Sequence, residues 1–238
     1  MRKRELQVLT KDKTRPEKLD IIISMNIFKL LLILSVFFVN SLYAQKPYVE
    51  KELLNKITKK YKVFAKKRFI YLQKMLDKTR DGDDLQKLEA VNKFYNGVRY
   101  MPDKKVYGKS DYWATPWQFL GKDKGDCEDY VISKYFALIY LGIEPKKLFF
   151  TYVRSSRFKA AHMVLTYFKT PRSEPLILDN NNHKIFPASK RKDLTPIYNF
   201  NGESLYRASK SGTGKKVKSK KAHKKWDELK LNMKRKLI

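Results

Sequence analysis

The only cysteine of this 238-residue chain, Cys127, lies between acidic residues in the segment GDCED at 125–129. Apolar residues recur after it at three- and four-residue spacing until Gly142 and Pro145, which predicts a helix that starts at Cys127 with Asp126 as its N-cap. The apolar face of this helix comprises Val131, Ile132, Tyr135, Leu138 and Ile139. A thiol in a first helical turn has a lowered pKa, because it meets the positive end of the helix dipole and free backbone N–H groups. We therefore interpret Cys127 as a nucleophile, with an inert, buried cysteine as the alternative.

The acidic neighbours of the thiol have the opposite effect on its pKa. Asp126, Glu128 and Asp129 would repel a thiolate unless some of them face a cation. Ligand sets made of oxygen atoms suit calcium better than zinc. The segment therefore predicts a thiolate and a metal ion together, and an ordinary acidic first turn of a helix is the alternative.

Six short segments follow one another between residues 111 and 206. They are DYWATP (111–116), GDCEDY (125–130), AHMVLT (161–166), LDN (178–180), PAS (187–189) and NFNGE (199–203). In order and spacing they resemble the bacterial transglutaminase-like cysteine proteinases. The resemblance implies an α+β fold of the papain-like or transglutaminase-like cysteine protease type, with an N-terminal helical lobe and an antiparallel β-sheet lobe. It also implies a catalytic triad of Cys127, His162 and Asp179, and a calcium ion bound by Asp126 and Glu128.

The same resemblance implies a biological role. The expected enzyme is a calcium-dependent periplasmic cysteine endopeptidase that cleaves the N-terminal region of a large cell-surface adhesin and so regulates biofilm attachment. Its expected regulator is an inner-membrane receptor that senses cyclic di-GMP and sequesters the protease. A transglutaminase-like amidase or cell-wall peptide hydrolase with the same triad is the alternative enzyme, and a binding module without thiol reactivity is a further alternative.

Strand patterns after the cysteine helix support the order of the triad independently. Strand-like runs at 148–153, 162–168 and 175–179 predict an antiparallel sheet, in which His162 opens one strand and Asp179 ends the next. The two side chains would then lie at the same edge of the sheet. Composition does not choose among the three histidines, and His183 in a polar loop is a competitor, so the choice of His162 rests on the resemblance.

The N-terminal residues 1–44 are predicted to be an extension followed by a signal peptide. A basic start at Met25, an apolar run of about ten residues and the small residue Ala44 are typical of an export signal, whereas a membrane span needs about 20 apolar residues. We expect cleavage after Ala44 and a periplasmic protein, with an uncleaved anchor as the alternative. Residues 1–24, which precede that start, are assigned no function.

The mature chain is strongly basic. Residues 1–44 hold eight basic and four acidic residues, so their removal leaves a net charge of +25 out of +29. Such a charge favours nucleic acid, anionic lipid or an acidic partner, but the export signal and the ordered segments argue against a specific nucleic-acid ligand.

The mature chain is predicted to hold a protease domain at 45–206 and a solvated basic tail at 207–238. Amphipathic helices are expected over 49–78 and 85–95, the first with an interfacial membrane helix as its alternative. The expected apolar stripe of the first helix is Leu53, Leu54, Ile57, Tyr61, Phe64, Phe69, Leu72 and Leu76. The tail has thirteen basic and two acidic residues, could form a short helix over 222–233, and is a candidate for contact with a membrane surface.

Overall fold

The computed structural model of the chain describes Lys29 and residues 45–202, 204–208, 212–217 and 221–238. The chain divides into a unit of residues 1–46 and a unit of residues 47–238, and the fold given below is that of the second unit. Apart from Lys29, the expected signal peptide and its cleavage after Ala44 fall outside the described residues. Within the described part, no helix is both long and apolar enough to cross a membrane.

Six α-helices lie in the described part of the second unit. They are α1 (Lys51–Thr79), α2 (Asp84–Tyr95), α3 (Asp103–Tyr107), α4 (Pro116–Lys122), α5 (Cys127–Tyr140) and α6 (Lys221–Lys234). The helices expected over 49–78 and 85–95 are thus confirmed as α1 and α2, and the helix that starts at Cys127 is α5. Asp83 and Gln86 form a capping box at the start of α2, which fixes where that helix begins.

The buried face of α1 follows the expected apolar stripe with one exception. Leu53, Ile57, Phe69, Leu72 and Leu76 are buried, together with Ala65. Phe64 is 71% exposed, so its expected place in the stripe is wrong. The helix is interrupted at Lys62, whose φ of 68° and ψ of −167° are not helical, and Phe64 lies in the turn directly after this break. The inner, apolar face of α1 packs into the protein core, as in an amphipathic helix of a globular domain.

Seven strands of the described residues form one antiparallel sheet. They are β3 (Leu148–Ser155), β4 (Ala160–Tyr167), β5 (Leu176–Leu178), β6 (Phe186–Pro187), β7 (Leu194–Phe200), β8 (Leu205–Arg207) and β9 (Lys215–Val217). Their order across the sheet is β6-β5-β4-β3-β7-β8-β9. The three strands expected from sequence are β3, β4 and β5. The N-terminal helices and this sheet confirm the expected α+β class and its two lobes.

A second, two-stranded sheet positions the cysteine helix. Strands β1 (Arg99–Tyr100) and β2 (Lys124–Gly125) pair in parallel, and the N–H of Met101 donates to the carbonyl of Gly125 at 2.8 Å. Because the two strands run in the same direction, the residues that follow each of them lie side by side. The start of α3 is thereby brought next to the start of α5.

The C-terminal residues belong to the core, which contradicts the expectation of a solvated tail. Strands β8 and β9 extend the sheet, and Trp226 and Leu229 of α6 are buried, at 5% and 1% exposure. The Trp226 ring stacks on Phe136 at 5.8 Å and meets Phe150 edge-on at 5.4 Å. The expected short helix over 222–233 is confirmed, but its apolar face packs against α5 and β3.

Candidate active site

Cys127 is the first residue of α5 and its side chain is half-buried. The thiol donates a hydrogen bond to Glu128 Oε2 at 3.3 Å, while the nearby backbone N–H of Met163 acts to lower the pKa of the thiol. Burial, followed by the charges of Glu128 and Asp126, raises the pKa of the thiol above its ordinary value. The lowering that a helix start alone predicts is therefore outweighed by desolvation and by the two adjacent carboxylates.

Two overlapping groups of carboxylates lie at the start of α5. One is Asp103, Asp126 and Asp129, the other is Asp103, Asp111 and Glu128, and within each group one oxygen atom per residue lies within 4.8 Å of the others. Burial is the largest cause that raises the pKa of Asp103 to about 6 and that of Asp126 to about 8. The pKa values of Glu128 and Asp129 are raised as well, again mainly by burial.

The oxygen atoms of these carboxylates are poorly satisfied by the protein itself. Asp103 Oδ1, Asp126 Oδ1 and Asp129 Oδ2 are buried and accept no hydrogen bond from the described residues. Buried carboxylate oxygens without partners are costly, and several that converge on one point form a donor set for a hard cation. These residues therefore fit calcium better than zinc, because they offer oxygen atoms and no imidazole.

The structure brings the two metal ligands expected from sequence, Asp126 and Glu128, into this cluster and adds Asp103 and Asp111. Asp126 occupies the N-cap position of α5, but its side chain does not cap the helix. Its Oδ2 instead accepts from the backbone N–H of Asp103 at 3.4 Å. Sequence reasoning missed Asp103 because the parallel pairing of β1 with β2 brings it beside Asp126, and no local pattern indicates that pairing.

His162 and Asp179 form a buried pair, as the strand order predicted. His162 Nε2 lies 2.8 Å from Asp179 Oδ1, and the Asp179 side chain is 0% exposed. Burial alone would raise the pKa of Asp179, but hydrogen bonds from His162, the N–H of Asn181 and Arg191 hold it at about 2. Asp179 is thus ionised at neutral pH and fixes the imidazole with Nε2 toward itself. Among the described residues, the thiol of Cys127 is hydrogen-bonded to Glu128 and not to His162.

Four buried polar side chains hold the Asp179 segment in place, and sequence reasoning identified none of them. Arg191 Nη2 donates to Asp179 Oδ2 at 2.7 Å, and Asn96 Nδ2 donates to the Asp179 carbonyl at 2.8 Å. Asn92 donates to the carbonyl of His183 at 3.0 Å and accepts from Lys134 Nζ at 2.8 Å. Burial lowers the pKa of Lys134 to about 7. The sequence signal for Asn92 and Lys134 was a polar residue within the apolar pattern of α2 or α5, whereas Asn96 and Arg191 lie outside these helices and had no such signal.

His183, Trp113 and Gln118 lie outside this catalytic arrangement. His183 is exposed. The Trp113 ring stacks on Phe150 at 6.1 Å and 9°, so it packs in the core. Gln118 belongs to the capping box of α4 with Thr115.

Comparisons with known proteins identify a family and solved structures that this chain resembles. A family described as bacterial transglutaminase-like cysteine proteinase, BTLCP, matches residues 68–195. The chain is similar to calcium-bound LapG of Legionella pneumophila, with 38% identity and a TM-score of 0.65 over 76% of this chain and 98% of that one. EGTA-treated LapG of the same organism matches with 39% identity and a TM-score of 0.63 over 77% of this chain and 97% of that one. No curated protein matches the chain.

Proposed function

The chain belongs to the bacterial transglutaminase-like cysteine proteinases and is a cysteine protease, and we propose that Cys127, His162 and Asp179 are its catalytic triad. Its proposed activity is the calcium-dependent cleavage of the N-terminal region of a large cell-surface adhesin. The observation that carries the triad is the buried hydrogen bond of 2.8 Å between His162 and Asp179. The Cys127 sulfur lies against the N–H of Met163, the residue next to His162 in β4.

The proposed reaction follows from the protonation states of these groups. Asp179, with a pKa of about 2, accepts the Nε2–H of His162 and leaves Nδ1 as the acceptor for the thiol proton. The sulfur of Cys127 then attacks the peptide carbonyl, and the backbone N–H of Cys127 in the first turn of α5 stabilises the oxyanion. His162 gives its proton to the departing amine and afterwards takes one from the water that hydrolyses the thioester.

The carboxylate cluster gives calcium its proposed role. When bound, a calcium ion would offset the negative charge that raises the pKa of the thiol. Asp103, Asp111, Asp126, Glu128 and Asp129 are the residues that could hold it. Glu128 is also the acceptor of the thiol hydrogen bond, so its use as a ligand would leave the thiol to His162. The match to calcium-bound and EGTA-treated forms of LapG supports this proposal.

The cellular setting is part of the same proposal. We infer export to the periplasm, cleavage of the signal peptide after Ala44, and control of biofilm attachment through release of the adhesin. The proposed regulator is an inner-membrane cyclic di-GMP receptor that sequesters the protease. The support for these points is the export-like segment that starts at Met25 and the resemblance of the sequence to its family.

The test is incubation of residues 45–238 with N-terminal fragments of candidate adhesins, followed by mass spectrometry of the products. We expect cleavage with calcium, and none with EGTA or with Cys127→Ala. Release of peptides from peptidoglycan, or formation of amide cross-links, while every adhesin fragment stays intact would instead support the transglutaminase-like amidase or cell-wall hydrolase. Addition of the periplasmic part of the receptor should inhibit cleavage if the proposed regulation is correct.

A further inference from the structure

One face of α1 points away from the core and exposes large apolar side chains. Phe64 is 71% exposed, Tyr71 66%, Val63 51% and Ile70 37%. They alternate with the buried residues Ala65, Phe69 and Leu72. The inner side of α1 and part of its outer side are therefore both apolar. Single exposed apolar residues are ordinary on protein surfaces, but four within nine residues form a patch, and a patch indicates a contact surface.

Positive charge surrounds this patch. Residues 53–76 include eight basic residues and no acidic one. Lys62, Lys66, Lys67 and Lys74 are exposed on the same part of the helix, and Lys67 Nζ lies 6.0 Å from the centre of the Phe64 ring. Asp77, the next acidic residue along α1, is paired with Arg80 at 2.9 Å. Within the part of the chain that the structure describes, these four lysines form no ion pair with a carboxylate, so a ligand on this face meets apolar groups and unpaired positive charge together.

We propose that this face, defined by Val63, Phe64, Lys66, Lys67, Ile70 and Tyr71, docks the protease on an anionic phospholipid surface. Lysines attract the headgroups, while aromatic and aliphatic side chains between them enter the boundary of the acyl chains. Nucleic acid would be bound by the lysines but would leave the aliphatic side chains of Val63 and Ile70 without a function. The docking does not depend on the substrate of the protease, and it places the contact on α1 instead of the basic C-terminal residues.

The first measurement is co-sedimentation of residues 45–238, which contain the whole compact unit, with lipid vesicles. We expect binding to vesicles of phosphatidylglycerol and phosphatidylethanolamine, weakening with added salt, and none to phosphatidylcholine alone. Absence of binding to the anionic vesicles at low salt would overturn the proposal.

Two pairs of matched variants locate the surface. Each lysine near an anionic surface strengthens binding about fivefold, so the double variant Lys66→Glu with Lys67→Glu should weaken binding by more than about tenfold. Lys215→Glu with Lys216→Glu changes the net charge equally at two exposed lysines of β9 and should retain most of the binding. Likewise Phe64→Ser should lose binding, whereas Leu85→Ser, at a side chain 48% exposed on α2, should not. Equal losses in the β9 variant would assign the contact to the C-terminal residues or to net charge, against the proposal.

Insertion can be measured directly with Phe64→Trp. The native tryptophans Trp113, Trp117 and Trp226 are all buried, at 7%, 6% and 5% exposure, so the added side chain is the one available to lipid. We expect its fluorescence to be quenched by brominated acyl chains in anionic vesicles. Unchanged fluorescence in vesicles that bind the variant would mean attraction by charge alone and would overturn the insertion of the apolar residues. Thermal unfolding of every variant checks that its fold is retained.

Discussion

At the scale of single residues, the triad proposal predicts unequal effects of three substitutions. Cys127→Ala removes the nucleophile and His162→Ala removes the proton acceptor, so each should lower kcat by at least about a thousandfold. Asp179→Asn leaves both reacting groups in place and should retain weak activity. The thermal midpoints of Cys127→Ala and wild type should agree, because the thiol is half-buried and its loss opens little space. Full cleavage by Cys127→Ala would refute the assignment of the nucleophile.

Lys134 makes a second prediction, which concerns stability and pH. Its pKa is about 7 in the folded state and 10.5 ordinarily, so between these values the unfolded state binds more protons than the folded state. The free energy of unfolding therefore rises with pH in this window, by an amount on the order of a few kcal/mol from this residue. Lys134→Met should remove that rise. Urea unfolding at several pH values from neutral to alkaline compares the two slopes, and identical slopes would show that Lys134 stays charged in the folded protein.

Sequence alone could predict the site residues that are neighbours in the chain or that lie on consecutive strands. Cys127 and its acidic neighbours are adjacent in the chain, and the His162–Asp179 pair follows from two consecutive antiparallel strands. Asp103 and Asn96 could not be predicted. Asp103 is brought to Asp126, 23 residues away in the chain, by the β1–β2 pairing. Asn96 is brought to Asp179, 83 residues away, by the packing of α2. Such contacts depend on tertiary packing, which leaves no periodic pattern in the sequence.

At the scale of secondary structure elements, the C-terminal helix departs most from expectation. Thirteen basic residues in the segment 207–238 suggested solvent on all sides, yet three apolar residues at helical spacing suffice to anchor α6. Lysines on the other faces of a helix are compatible with a buried stripe, because only one side has to be apolar. The overall charge of a segment therefore does not determine whether it packs.

The packing of α6 predicts that Trp226 stabilises the protein. Its ring is 5% exposed and contacts Tyr135, Phe136 and Phe150, and a Cβ atom at Gly202 would lie 2.8 Å from it. Trp226→Ala should lower the free energy of unfolding by about 3–5 kcal/mol. Leu231→Ala, on the same helix but 45% exposed, should change it by less than about 1 kcal/mol. Urea unfolding measures both, and equal effects would mean that α6 does not pack through Trp226. A chain that ends after Tyr206 should accordingly fail to unfold cooperatively.

At the scale of the whole molecule, charge is distributed unevenly between surface and active site. Residues 45–238 carry a net charge of +25, whereas five carboxylates gather around the start of α5. The raised pKa values of Asp103, Asp126, Glu128 and Asp129 reflect desolvation and mutual repulsion. The basic surface does not relieve this repulsion, because surface charges are screened by water and salt. A bound cation would relieve this repulsion directly, and it would act on the stability of the whole fold, since α3, α5 and the β1–β2 pair meet at the cluster.

The last prediction is therefore that EGTA lowers the thermal midpoint and that the size of this effect depends on pH. A ligand present at about a hundred times its Kd, and bound only to the folded state, adds about 2.7 kcal/mol, or roughly 5–10 °C for a protein of this size. Because the pKa values of Asp103 and Asp126 are raised to about 6 and about 8, the metal-free folded state binds more protons than the unfolded state above about pH 4. Its free energy of unfolding thus falls as the pH rises toward 8.

Calcium binding needs deprotonated ligands and so strengthens over the same range. The difference in midpoint between calcium and EGTA should accordingly be larger near pH 8 than near pH 5. Asp126→Asn should shrink both this difference and the pH dependence of the metal-free protein, while Asp77→Asn, an exposed carboxylate on α1, should change neither. Equal midpoints with calcium and EGTA at both pH values would refute the metal site and leave the triad unaffected, because the hydrogen bonds that fix Asp179 come from His162, Asn181 and Arg191 and from none of the clustered carboxylates.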